Sequence, residues 1–222
     1  MTQITATYID SMGSDLSVVN AARVSFGKQS EWEEPFDDCD KSLLKLSERD
    51  TKLIKYLAKH RHISPFGHAF VTFHCQAPIY VARQLVKHKF LRWNEISRRY
   101  VDDEPEFYQP DVWRGRSEDK KQGSEGTWQP NNQQLEDAMW HIKDLYEQMI
   151  YDGCAPEQAR MVLPVSTMTE WIWSGSVDAL ADMCRLRCKE DTQYESRLVA
   201  DQISTIMQDL YPVSWAALMD NS

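Results

Sequence analysis

The sequence predicts an α+β fold in which helices surround a small, largely antiparallel sheet. Helical segments outnumber strand-like segments, and the two types do not alternate in the βαβαβ rhythm of a doubly wound sheet. The 222 residues contain no internal repeat. A chain of this length can bury a core in one domain without disulfides or a structural metal. We therefore expect a single domain over residues 1–222.

The first half of the chain contains two strand-like and three helical segments. Asp15 follows a turn and is the expected N-cap of the first helix. Pro78 is well placed to begin the third helix. In order, we predict a short strand from Ala6, helices over Leu16–Val24 and Ser47–His60, a strand over Ala69–Cys75 and a helix over Ile79–Lys89.

The second half begins with a stretch that has no apolar residue, Gly115–Gly126. Its composition predicts a mobile surface loop at about 114–128. Trp171 and Trp173 alternate along a later strand, so they share one face and belong to the core or a subunit interface. The predicted elements after the loop are helices over Asn132–Tyr151 and from near Pro156, a strand over Val165–Trp173, and helices over Val177–Arg187 and Tyr194–Leu210.

The bulk composition excludes several classes of protein. A net charge of −9 disfavours a general nucleic-acid binder, which needs a broad basic surface. No apolar run approaches the roughly 20 residues that span a bilayer, and the first residues do not resemble a signal peptide, so we expect a cytoplasmic protein. Five cysteines without a CxxC pair indicate reduced thiols.

One stretch departs from the acidic average. The stretch from Arg83 to Tyr100 contains six cations and a single acid, Glu95, so its charge is +5. The pattern favours a site for a small anion, although a solvated basic helix end has the same composition. Three aromatic residues in the same stretch also leave open a module that binds nucleotides or RNA by stacking.

The same stretch resembles the signature of the flavin-dependent thymidylate synthases. That signature is Arg-His-Arg, seven residues and a Ser, with Asn-Glu before the Ser and Arg-Tyr after it. Here the aligned residues are Lys87-His88-Lys89, then Ser97, with Asn94-Glu95 and Arg99-Tyr100 in place. Further blocks in the family's order are Ala21–Gly27, His62–His68, Ala77–Gln84, Glu106–Tyr108 and Ala159–Pro164. Several blocks in register are more specific than one short motif.

The chain departs from the family pattern at several positions. Lys87 and Lys89 stand where the signature has arginines, so the charge is kept but the planar bidentate group is lost. Ser176 and Asp182 stand where the family often has asparagines that contact the flavin, and Gly67 replaces a usual Glu. A family variant that acts on another pyrimidine nucleotide is therefore an alternative.

The resemblance implies two sets of site residues. Arg187 is implied as the catalytic residue, because its cation would stabilise negative charge that develops on the uracil ring. The residues implied for dUMP are Gln84, Glu95, Ser97, Arg98, Arg99, Arg160 and Arg187. The residues implied for FAD are Ser25, His62, Ser64, Lys87, His88, Lys89, Phe90, Ser176 and Asp182.

The resemblance also implies the reaction and the assembly. Members of the family methylate dUMP to dTMP, with FAD as cofactor, NADPH as reductant and 5,10-methylenetetrahydrofolate as one-carbon donor, and they need no cysteine nucleophile. They form homotetramers in which several subunits build each active site. We expect no metal, because the spacing of the histidines from His60 to His74 matches no compact ligand motif. We expect neither nucleic-acid nor membrane partners.

Overall fold

The computed structural model describes residues 3–33, 45–118 and 124–220. Its central sheet is antiparallel, with the strand order β1-β2-β6-β3, and a two-stranded hairpin, β4-β5, lies apart from it. The strands are β1 (Thr5–Met12), β2 (Phe70–Pro78), β3 (Arg92–Glu95), β4 (Arg114–Arg116), β5 (Ser124–Thr127) and β6 (Met168–Ser176). The helices are α1 (Asp15–Arg23), α2 (Glu48–Lys59), α3 (Ile79–Leu85), α4 (Asn132–Tyr151), α5 (Pro156–Ala159), α6 (Val177–Arg187), α7 (Tyr194–Leu210) and α8 (Pro212–Met219). The predicted α+β class is confirmed.

The core lies between one face of the sheet and the helices. Alternate residues of β2, such as Val71 and Phe73, are fully buried, as expected for a strand with one face in the core. Trp171 and Trp173 of β6 are each 1% exposed, so of the two predicted locations, the core or a subunit interface, the core is confirmed. The β6 strand pairs with β2 on one side and with β3 on the other.

The start of the first helix differs from the prediction by one residue. Ser14, not Asp15, is the N-cap of α1. Asp15 is 3% exposed, and its carboxylate accepts hydrogen bonds from the backbone N–H groups of Val213 (2.9 Å) and Ser214 (2.8 Å). Asp15 therefore stabilises the first turn of α8, a helix that the sequence analysis did not predict.

The third helix is shorter than predicted. The α3 helix ends at Leu85, whereas the prediction continued it to Lys89. Phe90 has a φ of 67°, which belongs to the left-handed region, and the chain then enters β3. The apolar pattern could not reveal this end, because the turn is required by the pairing of β3 with β6.

The segment predicted as a loop at about 114–128 contains a β-hairpin. Gly115 of β4 is necessary there, because a Cβ atom at this position would lie 2.7 Å from the carbonyl oxygen of Glu125. Arg114 donates hydrogen bonds to Ser124 (2.8 Å) and to the buried carboxylate of Glu195 in α7 (2.6 Å). Residues 119–123 of the predicted loop lie outside the described part of the chain.

The longest helix leaves much of its apolar side uncovered. The bounds of α4 agree with the prediction, and of its residues only Tyr146 is buried. Leu145 is 49% exposed and Trp140 is 61% exposed. Within the described ranges, no helix is long and apolar enough to cross a bilayer.

Candidate active site

The signature motif reaches the edge of the sheet through β3. In this strand Trp93 pairs with Trp173 of β6, and Glu95 pairs with Trp171. Side chains two residues apart in a strand lie on the same face, so Trp93 and Glu95 face the same side. Ser97 follows the strand in a turn, where its hydroxyl accepts a hydrogen bond from the backbone N–H of Arg99 (3.3 Å).

A cavity of about 1000 Å³, here called the signature cavity, opens beside this turn. It contains four of the residues implied for dUMP, namely Glu95, Ser97, Arg98 and Arg160. Arg83 of α3 also lines it. Its remaining charged residues are carboxylates, namely Asp103, Glu104, Glu106, Glu157 and Glu170. The cavity therefore offers both hydrogen-bond acceptors and guanidinium donors, a mixture that suits a ligand with hydroxyl groups, carbonyl groups and a phosphate.

A second cavity, of about 730 Å³, is strongly basic and is here called the cationic cavity. Five cationic side chains and a single acid line it. These are Arg83, Lys87, Arg114, Arg187 and Lys189, with Asp191 as the acid. Gln84 lies in the same wall. Converging cations of this kind favour a phosphate or diphosphate group.

Arg187 contacts His88 of the signature directly. Its Nε atom donates to Nε2 of the imidazole at 3.0 Å, and a terminal nitrogen lies 3.5 Å from the carbonyl oxygen of Gln84. Burial and, to a smaller extent, the positive charge of Arg187 lower the pKa of His88 to about 4, whereas Asp182 acts in the opposite direction. His88 is therefore a neutral acceptor that orients a charged guanidinium.

The amide of Gln84 is held by two neighbours. Its Nε2 atom donates to the side-chain oxygen of Gln193, and its Oε1 atom accepts from the hydroxyl of Ser196 at 3.3 Å. Ser196 is fully buried in α7, and Gln193 also lines the cationic cavity. This network fixes the position of a residue that the sequence implied for dUMP.

The structure does not bring all the residues implied for dUMP together. Arg99 lines neither cavity, and its guanidinium lies 5.1 Å from the ring centroid of Tyr100. Arg98 donates to the carbonyl oxygen of Asp103 at 2.8 Å and is mostly buried. Gln84 and Arg187 lie in the cationic cavity, apart from the four residues of the signature cavity. Arg83 is the one described residue that lines both cavities.

The residues implied for FAD are dispersed in the same way. Lys87 lines the cationic cavity, and His88 contacts Arg187 of its wall. Ser176 is the N-cap of α6, and Asp182 forms an ion pair with Arg185. The others are exposed and line neither cavity, namely Ser25, His62, Ser64, Lys89 and Phe90.

The described cysteines and histidines form no second chemical centre. None of the four described cysteines lines either cavity. Burial raises the pKa of the Cys75 thiol to about 12, which keeps it protonated. Over residues 3–33, 45–118 and 124–220, no three His, Cys, Asp or Glu side chains are placed to hold a metal ion.

Several residues of the two cavities were not identified from the sequence. Arg83 was counted there only as one cation of the basic stretch. Arg114, Thr169 and Gln193 lie outside the signature, and their place in the cavities depends on the packing of distant segments. No local signal in the sequence marks them, because they lie outside the signature stretch along the chain.

Comparison with known proteins gives one consistent family. Residues 7–213 match the family model described as thymidylate synthase complementing protein. A flavin-dependent thymidylate synthase of Thermus thermophilus is 35% identical over 215 residues, covering 96% of this chain and 74% of the relative. The enzyme of the same name from Thermosipho africanus is 34% identical, covering 95% and 89% of the two chains.

A solved structure agrees with these relatives. The UMP/dUMP methylase PolB of Streptomyces cacaoi, bound with 5-Br dUMP, superimposes with a TM-score of 0.80 at 32% identity. The superposition covers 99% of this chain and 96% of that chain. The same methylase bound with 5-Br UMP gives a TM-score of 0.82 at 31% identity.

We expect His88 to remain neutral from pH 8 down to about pH 5, since burial and Arg187 hold its pKa near 4. Arg187→Met should raise this pKa, though not fully to the usual 6.5, because burial remains. Because the folded pKa is the lower one, the stabilisation from His88 is present above pH 6.5 and is lost as the pH falls toward 4. NMR titration of the His88 ring measures its pKa in the unmodified protein and in Arg187→Met, and Lys52→Met on α2 is the control variant. A midpoint between pH 6 and 7 in the unmodified protein would contradict it.

Proposed function

Because the chain belongs to the family of flavin-dependent thymidylate synthases, we propose that the two cavities joined by Arg83 form its active site. The activity of the chain is the flavin-dependent methylation of dUMP. FAD is its cofactor, with 5,10-methylenetetrahydrofolate and NADPH as co-substrates. The observation that carries the proposal is the position of Arg83, since this residue lines both the cavity that contains Glu95 and Ser97 of the signature and the cavity that contains Arg187.

In this proposal dUMP lies across the junction between the cavities. Glu95 only accepts hydrogen bonds, so it takes a donor group of the nucleotide. The hydroxyl of Ser97 and the guanidinium groups near it bind the phosphate and the uracil carbonyl groups through charge-assisted hydrogen bonds. These guanidinium groups are those of Arg98 and Arg160, which line the signature cavity, and that of Arg99, which follows Ser97 in the same turn but lines neither cavity of its own chain. Gln84, which lies in the cationic cavity on the other side of Arg83, forms hydrogen bonds with the pyrimidine.

Arg187 is the proposed catalytic residue. The contact with neutral His88 occupies its Nε atom, and one terminal nitrogen lies 3.5 Å from the carbonyl oxygen of Gln84. The remaining terminal N–H groups are available to a ligand in the cavity that Arg187 lines. A guanidinium held beside the pyrimidine stabilises the negative charge that develops on the ring during reaction. His88 does not compete with Arg187 for the negative charge on the pyrimidine, because its imidazole carries no positive charge at neutral pH. Catalysis then depends on the position and the charge of Arg187, with no covalent contribution from a cysteine.

The residues of the cationic cavity fit the diphosphate of FAD. Five cations against one acid provide the charge that two phosphate groups require, and Lys87 comes from the signature itself. We propose that Lys89, His88 and Phe90 extend this contact, together with Ser25, His62, Ser64, Ser176 and Asp182. When bound, FAD supplies the hydride chemistry, and the protein contributes binding, orientation and exclusion of water.

We further propose a homotetramer whose active sites are shared between subunits. Two observations support it. The α4 helix leaves apolar side chains such as Leu145 half exposed. Five exposed residues proposed for FAD line neither cavity of their own chain, so a neighbouring chain can bring them to the cofactor, namely Ser25, His62, Ser64, Lys89 and Phe90.

Arg187→Met should lower kcat for dTMP formation by about 100- to 1000-fold, the range measured when one preorganised donor is removed. Its fold should remain intact, because Arg187 is only partly buried. Product formation from dUMP, methylenetetrahydrofolate, NADPH and FAD is followed by mass spectrometry. Arg49→Met on the exposed side of α2 is the matched control. Unchanged turnover in Arg187→Met would remove Arg187 from the mechanism.

Replacing Lys87 and Lys89 together by arginine should tighten FAD binding by about fivefold, which corresponds to one bidentate contact of about 1 kcal/mol. The lysine form should also lose affinity more steeply with salt, since a flexible point charge depends more on screened attraction. Fluorescence titration of FAD into both apoproteins at low and moderate salt measures this. Equal affinities would show that the lysines do not face the cofactor.

Light scattering of the unmodified protein should give four times the 25.9 kDa mass of one chain. Leu145→Glu should lower this mass and the activity together, because it places a charge on the uncovered apolar side of α4. Glu147→Gln changes a charge on the same helix and serves as control. A single-chain mass with full activity would contradict the shared site.

A further inference from the structure

We propose that Trp93 and Thr169 are positioning residues that orient the Glu95 carboxylate toward a hydrogen-bond donor of the nucleotide. The inference rests on the proposed function, in which Glu95 contacts dUMP. Neither residue touches the nucleotide in this proposal, and both act through Glu95.

The two donors hold the two oxygens of one carboxylate. The indole Nε1 of Trp93 donates to Oε2 of Glu95 at 3.1 Å, and the hydroxyl of Thr169 donates to Oε1 at 2.8 Å. Trp93 and Glu95 lie on one face of β3, and Thr169 comes from the adjacent strand β6. The carboxylate is therefore fixed from within its own strand and from the neighbouring strand.

Both donors are packed against neighbouring side chains or buried in the sheet. Trp93 stacks on Trp171 with ring centroids 4.4 Å apart and an angle of 18°, and it meets Trp173 edge to face at 5.6 Å. Thr169 is 8% exposed and belongs to β6, which is paired with a strand on each side. A glutamate side chain normally loses up to about 2 kcal/mol of rotamer entropy when it is ordered. Here the folded protein has ordered Glu95 before the ligand arrives, so binding need not repeat that cost.

The remaining lone pairs of Glu95 determine what it can bind. Glu95 and Thr169 both line the signature cavity. An ionised carboxylate repels phosphate and cannot donate to a carbonyl group, so its partner must carry an O–H or N–H group. In dUMP these groups are the sugar hydroxyl and the ring N3–H. Both groups are neutral hydrogen-bond donors, and analogues of dUMP that lack one or the other distinguish them.

The test compares Thr169→Val and Trp93→Phe with the unmodified protein. Valine matches the shape of threonine, and phenylalanine keeps an aromatic ring against Trp171, so each variant removes one donor and keeps most of the packing. Calorimetry gives the Kd of dUMP, of its 3′-deoxy analogue and of its N3-methyl analogue. We expect each variant to weaken dUMP by about fivefold, the equivalent of one hydrogen bond of about 1 kcal/mol.

A positioning role predicts a specific second result. The analogue that lacks the donor used by Glu95 should bind the unmodified protein less tightly than dUMP, and this penalty should shrink by about fivefold in both variants. Thr169→Ser keeps the hydroxyl donor, so it should restore both the Kd of dUMP and the binding penalty of the analogue to their values in the unmodified protein. Thr72→Val removes another threonine hydrogen bond of the sheet, the one to Ser174, and should change neither.

The outcomes separate the inference from the proposed function. If Glu95→Gln binds dUMP as the unmodified protein does, the assignment of Glu95 to the nucleotide fails. If Glu95→Gln weakens dUMP but Thr169→Val and Trp93→Phe do not, only the positioning role is overturned. It is also overturned if both variants weaken dUMP and the analogues by the same factor, because that result describes a general loss of packing.

Discussion

The antiparallel pairing of β3 with β6 is the constraint on which the candidate active site depends. Four residues of the signature stretch form β3, and their register places Glu95 opposite Trp171 and near Thr169. Leu91 packs so closely on β6 that a Cβ atom at Gly175 would lie 2.1 Å from its Cδ2 atom. Without this pairing the motif would have the right residues but no fixed direction for their side chains.

The second half of the site comes from helices that the sheet holds together. The α3 helix follows β2 directly and carries Arg83 and Gln84, while α6 follows β6 and carries Arg187. Because β2 and β6 are antiparallel, the two helices start at opposite ends of this strand pair, and their C-terminal ends meet where Arg187 contacts His88 and the carbonyl oxygen of Gln84. The contact between Arg187 and His88 is a consequence of that arrangement, and burial at the same place keeps His88 neutral.

The charge of the protein is distributed to match its reaction. The chain has a net charge of −9, yet the cationic cavity gathers five cations against one acid. A local basic site in an acidic protein favours small anions over extended nucleic-acid backbones. The signature cavity has the opposite balance, with carboxylates in excess of guanidinium groups, so the two cavities differ in the parts of a ligand that they can bind.

Sequence periodicity and local signals determined most of the helices and the fold class. The bounds of α4, α6 and α7 agree with the prediction, because amphipathic spacing and the residues at their ends are local properties. Family blocks in register determined the family and the reaction. The sequence also predicted an anion site in the basic stretch from Arg83 to Tyr100, and this stretch contributes Arg83 and Lys87 to the cationic cavity.

Only the tertiary structure decided the early end of α3, the hairpin at Arg114, and the role of Asp15 at the start of α8. It also decided which residues meet at the site. Arg187 contacts His88, Glu95 contacts Thr169, and Arg83 lines both cavities. The physical reason is the same in each case. These contacts join residues that are distant in the chain, and their free energy exists only after the sheet has brought the segments together, so no local pattern records them.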